Sequence, residues 1–422
     1  MAAVRLLGDS GVDVGVVTDS RLRVSAATWS RRTARSYFAP PESDPRFIER
    51  LLAIGAAKPG QILLPTSDET AWLYTQRAAE LEKIFCLYQP SLLSMQRILD
   101  KKLLADAARK VGIAVVPSWE PKSLADVIAL APGLPYPILI KRRTHVNHAT
   151  NFKGVVVKSP VELTREYEKF LSSEEFVCST MESIPDAKLP FLQQLLNVGI
   201  EGVCSITGFI DRTGELFVTR RSKKVFQRTQ PVGIGVCFES LPDDPTLSGA
   251  VRRLCAELEY FGLFEVEFLW LNGTWAVIDF NPRLFNQLEL DICRGMPLPL
   301  FACLDAARDS ARLRDAVAIA VEKSHDNSVL PVFYDRFTLN AILTARMLIG
   351  RLARSDLAYW RNWKKQNKNR SVDVAIDSSD RLPPFVHAIS EVAAGLRSIR
   401  RFLRSTSNAS SKMRSDSLEA HS

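Results

Sequence analysis

Residues 264–283 read FEVEFLWLNGTWAVIDFNPR, two β-rich runs joined by a short turn. Side chains two apart on a strand share a face, so Asp279 and Asn281 project together and Arg283 continues their line. If Glu267 on the first run faces Asp279, two carboxylates and an amide oxygen converge. Such hard oxygen donors suit Mg²⁺ held against nucleotide phosphates. Arg283 would then reach a transferring phosphoryl group or a substrate carboxylate. Register decides this. Glu267 meets Asp279 only if paired residue numbers sum to an even value, as with a three-residue loop at Asn272–Thr274; pairing Leu271 with Thr274 would turn the carboxylates to opposite faces. The three-residue loop is expected, with Val266, Phe268, Trp270, Ile278 and Phe280 forming the apolar set between the polar positions. A polar-faced hairpin with solvated charges is the plainer alternative.

Two lysines stand where phosphates would be met. Lys101 opens the helical segment DKKLLADAARKVG, and Lys141 ends the apolar strand PILIK. An ammonium at the end of a buried strand is unfavourable unless it meets an anion, which an ATP phosphate would supply. Snorkelling to solvent is the other reading of Lys141.

Outward from these motifs the chain alternates elements. Residues 2–19 suggest a short helix and the strand VDVGVV, an α/β unit that a strand before residue 1 would complete. Segment 46–57 reads as helix, 61–65 as strand and 68–83 as helix, which together imply a small parallel sheet. One helix is expected from about Ser91 to Gly112, with Pro117 beyond it. Strands follow at 134–141 and 154–158, and a series of them at 191–239 turns through DRTG at 211–214. A helix at 246–261 precedes the Glu267 hairpin, and helices run from 284 to about 404. The Ser-rich stretch 405–422 reads as disordered.

The order of these motifs resembles the ATP-grasp superfamily, preceded by its usual small α/β domain. The resemblance covers roughly residues 5–305. It maps a D-K segment onto Asp100-Lys101 and a P-x-x-x-K strand onto Pro137–Lys141, giving Lys101 and Lys141 as ATP contacts. It maps the metal-binding strands onto Glu267-Phe268 and Asp279–Arg283, giving Glu267, Asp279 and Asn281 as Mg²⁺ ligands, with Mn²⁺ as a substitute. FLQQLL at 191–196 matches the adenine-lining strand, giving Gln193, Gln194 and Leu195. RRSKK at 220–224 matches the basic strand on the substrate side, so that Arg283 with Lys223 or Arg221 would neutralise the reacting phosphate. Asp279 stands where the superfamily usually has Glu, and Gln194 likewise. The loop THVNHATNFK at 144–153 takes the place of the phosphate-covering loop without its glycines, and His145 and His148 read as surface residues.

The resemblance implies an α/β and α+β protein: a pre-ATP-grasp domain at 1–95, an ATP-grasp domain at 96–305 with a mobile subdomain at 115–195, a basic helical extension at 306–404 and the tail. It further implies an ADP-forming ligase joining a small-molecule carboxylate to an amine through an acyl phosphate. Alternatives are a non-catalytic ATP-binding protein of the same fold and a carboxylate–thiol ligase.

Composition sets limits around this reading. The 422 residues are 46% hydrophobic and 24% charged, enough for two or three cores. Residues 341–422 carry 15 Lys/Arg against 7 Asp/Glu, which accounts for the whole net charge of +8. The neutral remainder gives no reason to expect nucleic acid. Peripheral association with membrane is one implication of 341–404, through LAYWRNWKKQNKNR (357–370) and LRSIRRFLR (396–404). The other is a helical extension packing Leu357, Trp360 and Trp363 on a core of its own. The segment also resembles tails on ATP-grasp proteins linked to polysaccharide assembly. Seven scattered cysteines without a C-x-x-C pair suggest free thiols in a reducing compartment. With no apolar run long enough to span a bilayer and no signal peptide, a cytoplasmic protein is expected, at most peripheral to the inner membrane face.

Overall fold

A computed structural model describes residues 1–19, 25–144, 146, 154–172, 189–199, 201–228, 233–324, 330–373, 377 and 379–397. Most of the loop 144–153, with His145 and His148, and the whole of 405–422 lie outside these residues.

The N-terminal unit pairs β1 (Val14–Asp19) in parallel with β2 (Thr33–Ala39). The expected strand at 61–65 reduces to a single parallel bridge between Ile62 and Cys86. The strand at 33–39 was not expected, because its polar residues mask the alternation: only Ala39 is fully buried. Phe47, Ile48 and Leu51 of helix Arg46–Ala56 close this core with Tyr74, Leu81 and Phe85.

The single helix expected over 91–112 is two, Leu92–Leu99 and Lys101–Lys110. Asp100 divides them: its extended backbone ends the first, and its carboxylate accepts the amides of Lys102 and Leu103 to cap the second. Buried Asp100 also takes Arg143 at 2.7 Å. The break leaves Lys101 in the first turn, aimed across the domain instead of along the helix.

Next come β3 (Ala114–Val115), β4 (Ser118–Trp119), β5 (Ile138–Arg142), β6 (Val155–Val157) and β7 (Pro190–Gln194). The last four form a sheet in the order β4-β7-β5-β6. Helices Leu124–Leu130 and Pro160–Ser172 cover one face, burying Val127, Leu163 and Tyr167 on Ile138, Ile140 and Leu192.

β8 (Val203–Ile210), β9 (Phe217–Gln227), β10 (Gly235–Leu241), β11 (Gly262–Leu271), β12 (Thr274–Asn281), β13 (Val332–Tyr334) and β14 (Ser371–Val372) join β3 in an eight-stranded sheet, ordered β14-β13-β10-β9-β8-β11-β12-β3. Cys204, Ile206, Phe264, Val266, Phe268 and Phe280 point from one face onto helices Lys101–Lys110 and Pro245–Glu257. Trp270, at the rim of that hairpin, is largely exposed. The opposite face carries the polar positions.

The C-terminal extension contributes β13 and β14 to this sheet. Trp360 and Trp363 are buried against Val225, Phe226, Tyr334 and Leu343 instead of a core of their own, and Trp363 Nε1 donates to Glu239 Oε1 at 2.7 Å. The two tryptophans of the 357–370 run are therefore used in packing, while Tyr359 stays exposed. Trp360→Ala should lower unfolding free energy by about 3–5 kcal/mol in a denaturant titration; a loss near zero would mean the extension is not part of the cooperative unit.

Candidate functional site

β11 and β12 close through Asn272 and Gly273, whose φ angles of 48° and 87° are both positive. This is the two-residue type I′ turn that Asn-Gly favours. Leu271 therefore pairs with Thr274, and the three-residue loop expected from the sequence is wrong. Unbroken, that register would set Glu267 and Asp279 on opposite faces. A bulge prevents it: Phe268 pairs with Val277 but Glu267 with Asp279, leaving Ile278 as the extra residue. The facing carboxylates are correct for a reason the sequence did not display.

The register then extends across the sheet. Ser240, Ser222, Ser205, Glu267 and Asp279 pair in one row, and Arg220, Thr207, Glu265 and Asn281 in the next. Paired residues share a face, so both rows project into one polar surface.

Its contacts are specific. Lys101 Nζ lies 3.0 Å from Asp279 Oδ1, and Lys224 Nζ 2.5 Å from Glu267 Oε1. Asn281 donates to Glu265 Oε2 at 3.1 Å and accepts Arg283 at 2.9 Å. Arg283 also holds Asp68 of the N-terminal unit at 2.7 Å, so one guanidinium ties the two units together beside the site. Glu265 is buried; it takes Ser205 Oγ at 3.0 Å and a close bond from Gln287 Nε2. Burial first, and then the neighbouring Glu267 charge, raise the Glu265 pKa.

Two expected members of the site lie elsewhere. Lys223 and Arg221 alternate with Ser222 and Lys224 and so project from the other face. Lys223 pairs with Glu201 at 2.7 Å and Glu239 at 3.3 Å. Arg221 lies over the Trp275 ring at 5.3 Å. Lys224 is the basic residue that meets the carboxylates. RRSKK offers both lysines, and only pairing to β8 and β11 selects one. Glu265 was legible but missed: it stands two residues before Glu267 and must share its face. Asp68 and Gln287 gave no signal in the sequence.

In the four-stranded sheet, Lys141 pairs with Phe191 and Leu139 with Gln193, so Gln193 shares the lysine's face. Gln194 falls on the face of Ile138 and so parts from Gln193. Its amide donates to Pro117 O at 2.9 Å, and that of Leu195 to Pro137 O at 3.1 Å. Lys141 lies 5.8 Å from the centroid of the Phe191 ring. Burial, then the charge of Lys101, lower its pKa to about 7 against the attraction of Asp279 and Glu267. A bound phosphate would restore the charged form, so nucleotide binding should take up a proton at Lys141. ATP affinity should then fall as pH rises above about 7, by up to about tenfold per unit. Calorimetry in buffers of different ionisation enthalpy reads the uptake, and Lys141→Arg should abolish it. Equal heats in all buffers would count against the lysine's contact.

The donor set fits Mg²⁺. Glu267, Asp279 and the Asn281 amide oxygen are hard oxygens on one surface. Among the described residues no group of three or more His, Cys, Asp or Glu side chains is placed to hold a metal ion; an ion that takes one or two carboxylates plus phosphate oxygens does not require such a group. Lys224 and Lys101 hold the two carboxylates in this state.

No protein-family model matches the sequence. A carbamoyl phosphate synthase large chain from Methanothermobacter thermautotrophicus is 22% identical over 233 residues, 53% of this chain, which spans only 20% of that protein's length. Among solved structures, the biotin carboxylase domain of Hydrogenobacter thermophilus 2-oxoglutarate carboxylase, in complex with MgADP, ADP and bicarbonate, superposes with a TM-score of 0.57 at 14% identity, over 72% of this chain and 66% of that one. Campylobacter jejuni biotin carboxylase, solved as a β-γ-ATP complex, gives 0.56 at 15% identity, over 72% and 68%. Rhizobium etli pyruvate carboxylase gives 0.56 at 17%, over 72% of this chain and 28% of that one.

Proposed function

We propose, on the premise that this chain has the ATP-grasp fold, that it is an ADP-forming ligase which activates a small-molecule carboxylate as an acyl phosphate and passes it to an amine. The observation that carries this reading is the paired row Ser205, Glu267, Asp279, with Lys101 and Lys224 bonded to its two carboxylates. Glu267, Asp279 and Asn281 would hold Mg²⁺, which when bound supplies neutralisation of phosphate charge. Lys101 and Lys141 orient the phosphates from two sides, which is most of what phosphoryl transfer requires of a protein. Arg283 and Lys224 present positive charge to the reacting oxygens. Movement of the four-stranded sheet toward the large one would exclude water from an acyl phosphate.

The test is mass spectrometry of products after incubation with Mg·ATP and a panel of carboxylates and amino acids, with Glu267→Gln as control. A ligated product with ADP, absent in the variant, supports the reading; ATP binding without ADP in every mixture sinks it. That second outcome would favour a non-catalytic nucleotide-binding protein, a reading supported by carboxylates already satisfied by Lys224 and Lys101.

A further inference from the structure

Residues 382–397 are helical, and this helix turns its polar side toward the protein. His387 Nε2 lies 2.7 Å from Asp335 Oδ2, and Arg228 donates to both carboxylate oxygens of Glu391 at 3.0 Å. The apolar side faces out. Leu382, Phe385, Ile389, Val392 and Leu396 are 58%, 69%, 65%, 60% and 63% exposed. Their spacing alternates three and four, a single stripe along the helix. The sequence continues that spacing to Ile399 and Leu403.

An exposed stripe of this kind needs an occupant. A second helix is a poor one. The flanking positions of the heptad are Val386, Ala388, Ala393 and Gly395, which carry none of the charges that set register and partner in coiled coils. Charge identifies a better occupant. Arg397, Arg400, Arg401, Arg404, Lys412 and Arg414 follow the stripe, with no acidic residue between Glu391 and Asp416. Two copies laid side by side in parallel would oppose these runs. An anionic surface would attract them while the stripe enters its apolar layer. Trp360 and Trp363 of the extension are buried, whereas Tyr359 is 49% exposed.

We infer that the stripe Leu382–Leu396, with the basic run after it, docks the protein on an anionic phospholipid surface, the helix lying in the plane of the interface. No helix among the described residues is long and apolar enough to cross a membrane, so the attachment is peripheral. It is independent of the ligase reading, because none of the stripe residues Leu382, Phe385, Ile389, Val392 and Leu396 belongs to the polar rows.

The test is flotation of the full chain with vesicles of phosphatidylcholine alone and of phosphatidylcholine with phosphatidylglycerol, at about 0.1 M and 0.5 M salt. Binding should require the anionic lipid and weaken at the higher salt. Ile389→Asp with Val392→Asp should reduce it about tenfold or more, as should Arg400→Glu with Arg401→Glu. Ile389→Asp with Val392→Asp should keep the parent's thermal midpoint and ATP affinity, since these side chains of the stripe point away from the protein. Failure to bind the anionic vesicles, or equal binding to neutral ones, overturns the inference. So does a lipid-free dimer that Ile389→Asp with Val392→Asp dissolves, which would give the stripe to a second copy.

Discussion

Glu267→Gln is expected to reduce ADP formation by roughly 10²–10³-fold while the protein stays folded. The substitution keeps the size of the side chain and removes its charge. What is lost is one of two carboxylates able to share a divalent cation with phosphate oxygens, and the partner that holds Lys224 2.5 Å away. Glu265 stays in reach of that ammonium's field: the Lys224 pKa is raised, with Glu267 and then Glu265 outweighing the opposing effect of burial. The remaining acid limits the stability loss from an uncompensated buried charge, so melting temperature should move far less than activity. Measuring ADP release beside a thermal melt separates the two effects. A variant that turns over at the parent rate would remove Glu267 from the proposed metal site and leave the row of paired residues a structural feature.

The second large effect is a contrast between neighbours. Lys224→Met should lower turnover by about 10²-fold or more, whereas Lys223→Met should change it by less than about threefold. Both are lysines in one pentapeptide, and only strand alternation separates them. Lys224 is buried against Glu267; Lys223 stands on the other face, held by Glu201 and Glu239. Of these the pair with Glu201, whose side chain is 80% exposed, contributes little. Single-turnover and steady-state rates measured on both variants check the contrast. Equal losses would mean that the register across β8, β9 and β11 is not the one described.

The same register explains how much of the site was legible in the sequence. Asp279 and Asn281 needed only a strand of period two, and their neighbour Arg283 follows them. Lys141, at the end of an apolar run, stood out because an ammonium there asks for an anion, and Lys101 stood out through the Asp100-Lys101 motif. Glu265 could have been read by the same rule that linked Asp279 to Asn281. The Asn-Gly turn was also legible, and taking it at face value would have predicted diverging carboxylates.

Local chemistry, then, was largely determined by the sequence alone: most strands of the two larger sheets, and which oxygens and ammonium groups are available. These depend on interactions within a few residues. The break at Asp100 and the strands at 33–39, 332–334 and 371–372 were not read from the sequence. Facing and partnership were decided by the tertiary structure, through a bulge at Ile278 that reverses the parity of a hairpin and a pairing that selects Lys224 over Lys223. Side chains distant in the chain meet only when several strands hold one common register, and one extra residue in any of them turns everything beyond it to the other face.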